Sequence, residues 1–288
     1  MKIVERSQNF TSEKPLLYLV ATPIGNVSDL SSRALSVFND SDIIAAEDTR
    51  NTGLLLKRLG IEKPMISCHE HNEEEAGEKI VSLLLEGKKV AYASDAGYPG
   101  ISDPGERLVK KAIEKGINVS VIPGPCAFLT ALAASGLDSS HFYFHGFLSS
   151  KPSERDKELS LLKGKPETLA FYESPHRIGK TLIALRDYLG KERKACLARE
   201  LTKTHEEYIR GTLEDLASLD EATLIGEMAI IIEGAKKVAP IINDETLLEA
   251  LKEELKVKKS KEAVVSVALK YSLKKNEVYE FYLQHFKK

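Results

Sequence analysis

With 288 residues, 42% of them hydrophobic and 29% charged, the chain has the size and composition of an ordinary globular protein with one large core or two modest ones. Its net charge of −2 supplies no global field toward nucleic acid or a lipid surface, and no apolar run approaches the ~20 residues that a membrane-spanning helix needs. Cys68, Cys126 and Cys196 are odd in number and far apart, which argues against a disulfide framework, and the Lys2, Glu5 and Arg6 of the N-terminus do not read as a signal peptide; a reduced, cytoplasmic protein is expected.

The first half alternates between two periods. "PLLYLVA" (15–21) predicts a strand and 28–38 an amphipathic helix; "DIIAA" (42–46) is followed by a helix over 51–59, "PMISC" (64–68) by one over 73–85, "KKVAYA" (88–93) by one over 106–115, and "NVSVI" (118–122) by one over 127–134. Strands that are apolar without alternation, each followed by a helix, predict a mostly parallel sheet covered on both faces. The second half differs. "HFYFHGF" (141–147), "ETLAFY" (167–172), "KACLARE" (194–200), "HEEYIRG" (205–211) and "GEMAIIIEG" (226–234) predict strands, with helices over 154–162 and over the proline-led 175–189. The short gaps among the last three strands imply antiparallel pairing. A linker, "AKKVAPIIND" (235–244), precedes a helical, basic tail: from Leu251 to Lys288 ten lysines face five glutamates, a local balance of +5.

In open α/β sheets ligands bind beyond the carboxyl ends of the strands. Here those ends carry "TPIGN" (22–26), "EDTR" (47–50), "SDAGYPGISDPG" (94–105) and "PGPCAF" (123–128). A strand-to-helix connection needs only about two to six residues, so the third is long for a turn. Glycine lets backbone approach a ligand and proline fixes a loop before binding; three such loops on one sheet edge predict a pocket. The dinucleotide pattern G-x-G-x-x-G is absent after the first strand. "GKT" (179–181) lacks the phosphate-loop glycine, since position 174 is Ser174. "CHEH" (68–71) places strand neighbours on opposite faces, so no metal is expected.

Taken in order, "LYLVATPIGN", "DIIAAEDTR", "HEHNE", "SDAGYPGISDPG", "VIPGPCA", "FHGFL", "FYESPHRI", "ARELTKTHEE" and "GEMAIIIEG" resemble the ribosomal RNA small subunit methyltransferase I family of the tetrapyrrole-methylase superfamily, over roughly residues 15–235. The resemblance implies two α/β domains, 15–124 and 125–236, with S-adenosylmethionine in the cleft between them, followed here by a helical extension over 240–288. It also implies a homodimer that methylates the 2′-oxygen of a cytidine ribose in small-subunit (16S) ribosomal RNA, as naked RNA or in the assembled subunit. Carried over position by position, the cofactor contacts fall on Pro23, Ile24 and Gly25; on Ser94, Asp95, Gly97, Tyr98 and Ile101; on Cys126 and Ala127; on Tyr172 and Glu173; and on Leu201. Two motifs depart from the superfamily: its G-x-G-P-G turn is A-T-P-I-G here, and its G-D-P-F is S-D-A-G-Y.

Methyl transfer to a ribose oxygen demands positioning and a base near the hydroxyl proton. Glu47, directly after the second strand, is the candidate base; its structural alternative is an ion pair with Arg50 that shapes the loop. Arg50 and Arg177 suit phosphate contacts, with surface pairing to acidic residues as the alternative, and His176 is either an RNA contact or a capping or packing histidine. In the tail, Val267, Ala268, Leu273, Val278 and Phe281 have helix-turn-helix spacing around a turn at Ser272, and Lys258, Lys259, Lys274 and Lys275 are its candidate RNA contacts. Rival functions are a tetrapyrrole or diphthamide-pathway methylase of the same fold, and a non-catalytic RNA- or nucleotide-binding module.

Overall fold

The protein is described by a computed structural model covering residues 6–11, 13–236, 243–271 and 273–287. The chain divides into two compact units, Met1–Ala235 and Lys236–Lys288. In the first, β1 (Leu16–Val20), β2 (Ile43–Ala46), β3 (Met65–Ser67), β4 (Val90–Ala93) and β5 (Asn118–Ile122) form a sheet ordered β3-β2-β4-β1-β5, with every pair parallel. Helices α1 (Ser32–Asp40), α2 (Thr49–Arg58), α3 (Glu73–Leu85) and α4 (Glu106–Glu114) follow β1 to β4 in turn. All four residues of the central β4 are buried, because neighbouring side chains point to opposite faces and both faces are covered. Tyr92 packs with Ile80, Leu84 and Leu108 on one side, while Ala91 and Ala93 pack with Phe38 and Leu56 on the other.

A second sheet in the same unit comprises β6 (Phe142–Phe147), β7 (Thr168–Glu173), β8 (Lys194–Arg199), β9 (Glu207–Thr212) and β10 (Met228–Ile232), ordered β6-β7-β10-β8-β9. Only β6 and β7 run parallel; the other pairs are antiparallel, as the short connections imply. One face packs on α6 (Pro152–Leu162), α7 (Ile178–Leu189) and α8 (Leu213–Ala217). The other receives α5 (Ala127–Ser135) through Ala131 and Leu132. The helix that follows the last strand of the first sheet therefore packs on the second.

Three elements depart from the sequence expectation. Residues 27–29 form a separate 3-10 turn and α1 starts afresh at Ser32, because the Ser31 hydroxyl accepts from the Ala34 N–H at 3.1 Å and caps it. Helix α7 is not led by Pro175: Arg177 and Ile178 both donate to the Ser174 carbonyl in a tight turn, and helix begins at Ile178. Gly179 of the "GKT" run lies inside α7, where a Cβ would run into the Glu221 carboxylate. Helix α8 went unforeseen although Thr212 and Asp215 form a reciprocal capping box at its start.

The second unit contains α9 (Asp244–Leu255), α10 (Ser260–Lys270) and α11 (Lys275–Phe286). Val267, Ala268 and Val278 are buried in its core, with Leu273 and Phe281 packed against them, as the helix-turn-helix spacing predicts. Ser272 and positions 237–242 of the expected linker lie outside the described residues.

One contact ties the first sheet's longest loop to its helices. Helix α4 begins after Gly105, which has no side chain to cap it. The buried Glu73, on α3, does so instead: its Oε1 accepts from the N–H groups of Gly105 at 3.0 Å, Arg107 at 2.9 Å and Leu108 at 3.2 Å. Glu73→Ala should lower the unfolding free energy of the larger unit by about 2–3 kcal/mol, the cost of leaving buried donors without a charged acceptor, and Glu73→Gln by less; urea unfolding of the two variants measures both.

Candidate active site

The loops after β1, β2, β4 and β5 leave the same edge of the first sheet, and backbone contacts hold them together. Thr22 and Gly97 exchange N–H···O bonds of 2.9 and 3.0 Å. The Thr22 hydroxyl donates to the Ser94 carbonyl at 3.1 Å, and the Gly124 N–H donates to the Tyr98 hydroxyl at 3.1 Å. Two further bonds cross to the second sheet, from Asn26 N–H to Thr202 Oγ1 and from Phe128 N–H to Tyr172 Oη, each 3.1 Å. Gly25 permits the first crossing, since a Cβ there would lie 2.6 Å from Lys203 Cγ and 3.0 Å from the Leu201 carbonyl. Glu200 and Thr202, with φ of 50° and 65°, hold the facing loop in a conformation that non-glycine residues adopt at a cost.

Between the two sheets these loops enclose a cavity of about 280 Å³. Of the residues expected to contact a cofactor, Ile24, Gly97, Tyr98, Ile101, Cys126, Ala127, Tyr172, Glu173 and Leu201 line it. Pro23, Gly25, Ser94 and Asp95 are not among its lining residues. Gly25 and Ser94 shape the loops, and Asp95 accepts from Asp48 N–H at 3.2 Å and from Asn51 Nδ2 at 2.8 Å, joining the β4 loop to α2. Sequence reasoning missed Ser102, Asp103, Phe147, Ser174 and Met228, which also line the cavity. Asp103 stood in the quoted "SDPG" and was legible as a polar group in a pocket loop. Met228 is an apolar residue of a central strand, and no local pattern marks it. The walls are mainly apolar, and Ile101 and Phe147 remain 47% and 53% exposed, a surface that a bound molecule would cover.

The acids near the cavity are in different states of commitment. The buried Glu173 spends one oxygen on Ser174 N–H at 2.8 Å and the other on the Thr181 hydroxyl at 2.6 Å and Arg177 Nη2 at 3.2 Å. Glu47 accepts from Asp95 N–H at 3.3 Å; burial raises its pKa, partly offset by that bond and raised again by the Asp95 charge. Asp103 faces the cavity, and burial, then the charge of Glu47, push it up to about 7, partly offset by the nearby Ser94 hydroxyl, which itself donates to the Gly97 carbonyl at 3.5 Å. Cys68 is buried with its thiol pushed up to about 12, the state of a packing residue rather than a nucleophile. Among the described residues no group of three or more His, Cys, Asp or Glu is disposed to hold a metal ion.

The cations correct one expectation. Arg50 does not pair with Glu47: its Nε and Nη2 bind the two oxygens of Asp48 at 3.0 and 2.5 Å, which holds the Asp48 carboxyl at about 2. The loop-shaping pair is thus Arg50–Asp48, on an exposed surface. Arg177 Nη2 also donates to the Leu148 carbonyl at 2.6 Å, so this guanidinium fastens the turn before α7 to the end of β6. His176 caps no helix and is exposed. Lys258 and Lys274 pair with Glu254 and Glu277, whereas Lys259 and Lys275 are exposed at the starts of α10 and α11 and have no acidic partner among the described residues.

Two α/β sheets with a loop-lined cavity between them define a class. The profile of tetrapyrrole (corrin/porphyrin) methylases matches residues 16–217. Solved structures share the fold, among them the methyltransferase CobJ, at 19% identity over 78% of this chain and 97% of that one with a TM-score of 0.59. Uroporphyrin-III-C-methyltransferase from Thermus thermophilus follows at 20% identity over 76% and 94%, with a TM-score of 0.56. Within that class, the ribosomal RNA small subunit methyltransferase I proteins of Haemophilus influenzae and Pasteurella multocida are 46% and 45% identical to it, over 95% and 94% of this chain and 98% of each relative. That of Escherichia coli O157:H7 is 41% identical over 98% and 99%. The chain belongs to the ribosomal RNA small subunit methyltransferase I family, and is a methyltransferase whose methyl donor is S-adenosylmethionine.

The cavity suits that donor: apolar walls for an adenosine and an alkyl chain, and exposed Ile101 and Phe147 to be covered. Gly97, at φ 77°, carries both bonds to Thr22. Gly97→Val forces a β-branched residue into the left-handed region, at roughly 1–2 kcal/mol, and loosens that pair. Calorimetry should show S-adenosylmethionine affinity reduced by about tenfold or more while the thermal transition stays cooperative.

Proposed function

We propose that the protein transfers a methyl group from S-adenosylmethionine to the 2′-oxygen of a cytidine ribose in small-subunit ribosomal RNA. What supports this reading is the extent of the likeness. Relatives named as ribosomal RNA methyltransferases, those of Pasteurella multocida and Escherichia coli O157:H7 among them, match 94% and 98% of this chain, whereas the tetrapyrrole-methylase profile stops at residue 217. The likeness therefore takes in the basic three-helix unit, which a porphyrin-modifying enzyme has no evident need of. Residues 24, 97–103, 126–127, 172–174 and 201 would hold the donor, which supplies an electrophilic methyl group on a positively charged sulfur. The apolar walls exclude water from that group. The stitched loops fix the place where an incoming hydroxyl meets it, and positioning accounts for much of the rate in such a displacement.

In the same reading the enzyme is a cytoplasmic homodimer that takes its RNA alone or within the assembled subunit. Arg50 and His176 offer exposed polar groups beside strand ends that frame the cavity. The second unit supplies the local positive field that a chain of net charge −2 lacks overall. Incubation with methyl-labelled S-adenosylmethionine and small ribosomal subunits, then nuclease digestion and mass spectrometry, tests the reading: label on a 2′-O-methylcytidine supports it, and label on a base or on porphyrin alone rejects it.

The lysines make a separate prediction. Each phosphate contact contributes about 0.7–0.9 to the slope of log affinity against log salt. Replacing Lys259 and Lys275 together by Gln should weaken RNA binding at low salt and reduce that slope by about 1.5. Replacing Lys258 and Lys274, already paired with glutamates, should change it less. Fluorescence anisotropy across a salt series measures both.

A further inference from the structure

A ribose hydroxyl attacks a methyl group poorly while it keeps its proton, so a group able to accept that proton belongs beside the reacting atoms. Glu47 is the acid that the sequence suggested, yet it is not among the residues lining the cavity. The other acids are spent: Glu173 on Ser174, Thr181 and Arg177, Asp95 on Asp48 and Asn51, and Glu227 on Lys203. Asp103 lines the cavity, has no cation partner among the described residues, and has the Ser94 hydroxyl nearby. Its backbone is held firmly on the far side. The next carbonyl, of Pro104, lies 3.0 Å from Tyr92 Oη, and the next N–H, of Gly105, donates to Glu73. Ser102, on its other side, sits at φ 63°.

We propose that Asp103 is the catalytic residue that takes the proton from the attacking ribose hydroxyl, and that Glu47 acts on it from the neighbouring strand end as a positioning and charge-setting group. This rests on the reading of a ribose acceptor given above. The oxygen–methyl bond forms as the sulfur–methyl bond breaks. The electron pair of the broken bond stays on sulfur, which becomes a neutral thioether, and the hydroxyl proton passes to the Asp103 carboxylate. Asp103 feels groups from each element packed around it: Glu47 after β2, Tyr92 on β4, Asp95 after β4, and Tyr172 on β7. The negative charge of Glu47, next in weight to burial, keeps the proton on Asp103 up to about pH 7. The base works only when ionised, so turnover rises with pH through that value.

The test compares the wild-type enzyme with Asp103→Asn and Glu47→Gln on small ribosomal subunits, scoring 2′-O-methylcytidine. Asp103→Asn should lose about a hundredfold or more in single-turnover rate at every pH, with S-adenosylmethionine affinity by calorimetry within a few-fold of wild type. Glu47→Gln removes the like charge, so the acid limb of its pH–rate profile should move to lower pH. A carboxyl carbon that titrates near pH 7 by NMR in the wild type should vanish in Asp103→Asn and titrate lower in Glu47→Gln. Should Asp103→Asn fail to fold, the Glu47→Gln profile and titration carry the test alone. Near-normal turnover in Asp103→Asn overturns the proposal, as does a Glu47→Gln enzyme whose rate no pH restores. If the wild type itself forms no ribose methyl, it is the ribose reading that fails, whatever the variants do.

Discussion

The Glu73 carboxylate, buried between α3 and α4, meets three N–H groups that open α4. It thereby fixes the end of the loop from 94 to 105, whose beginning is fixed by the Thr22–Gly97 pair. A loop of that length left free would sample many conformations, and ordering it only on binding would cost affinity. Held at both ends, and at Tyr98 by Gly124 N–H, it can keep Asp103, Ile101 and Gly97 in one arrangement. The cavity exists because this loop cannot relax into it.

The other wall depends on how closely the two sheets approach. Gly25 has no Cβ to meet Lys203 and Leu201, and the loop opposite accepts two left-handed non-glycine residues, Glu200 and Thr202. Helix α5 strengthens the junction, following β5 of one sheet while burying Ala131 and Leu132 against the other. Strain and close approach fall together at the place where a ligand would be enclosed, as expected where site geometry outranks local comfort.

The acids show how environment separates chemically similar groups. Asp48 is half-buried but doubly bonded to the exposed Arg50, so it stays ionised. Glu173 is buried but satisfied by three donors. Asp103 is half-buried with one hydroxyl nearby and a like charge close to it, and its proton is held far above the usual carboxylate range. Divergent environments of this kind separate structural acids from those free to move protons.

Local chemistry determined a good deal by itself. Unbroken apolar runs such as "VAYA" marked strands covered on both faces, glycine and proline after three of them marked the pocket edge, and quoted motifs carried the family. Nine of the positions expected to contact the donor line the cavity, because strand ends and their loops are local features. Where the structure departs from the sequence reading, a particular contact decided: Asp48 takes Arg50, the Ser174 carbonyl takes the N–H groups of Arg177 and Ile178 so that α7 begins after Pro175, and β10 brings Met228 to the pocket between the sheets. Which of the acids Glu47 and Asp103 reaches the cavity is likewise set by packing. Both are acids beside a strand end, and only the packed structure shows which one faces the cavity, because burial and neighbouring charge are properties of the assembled fold and not of any stretch of chain.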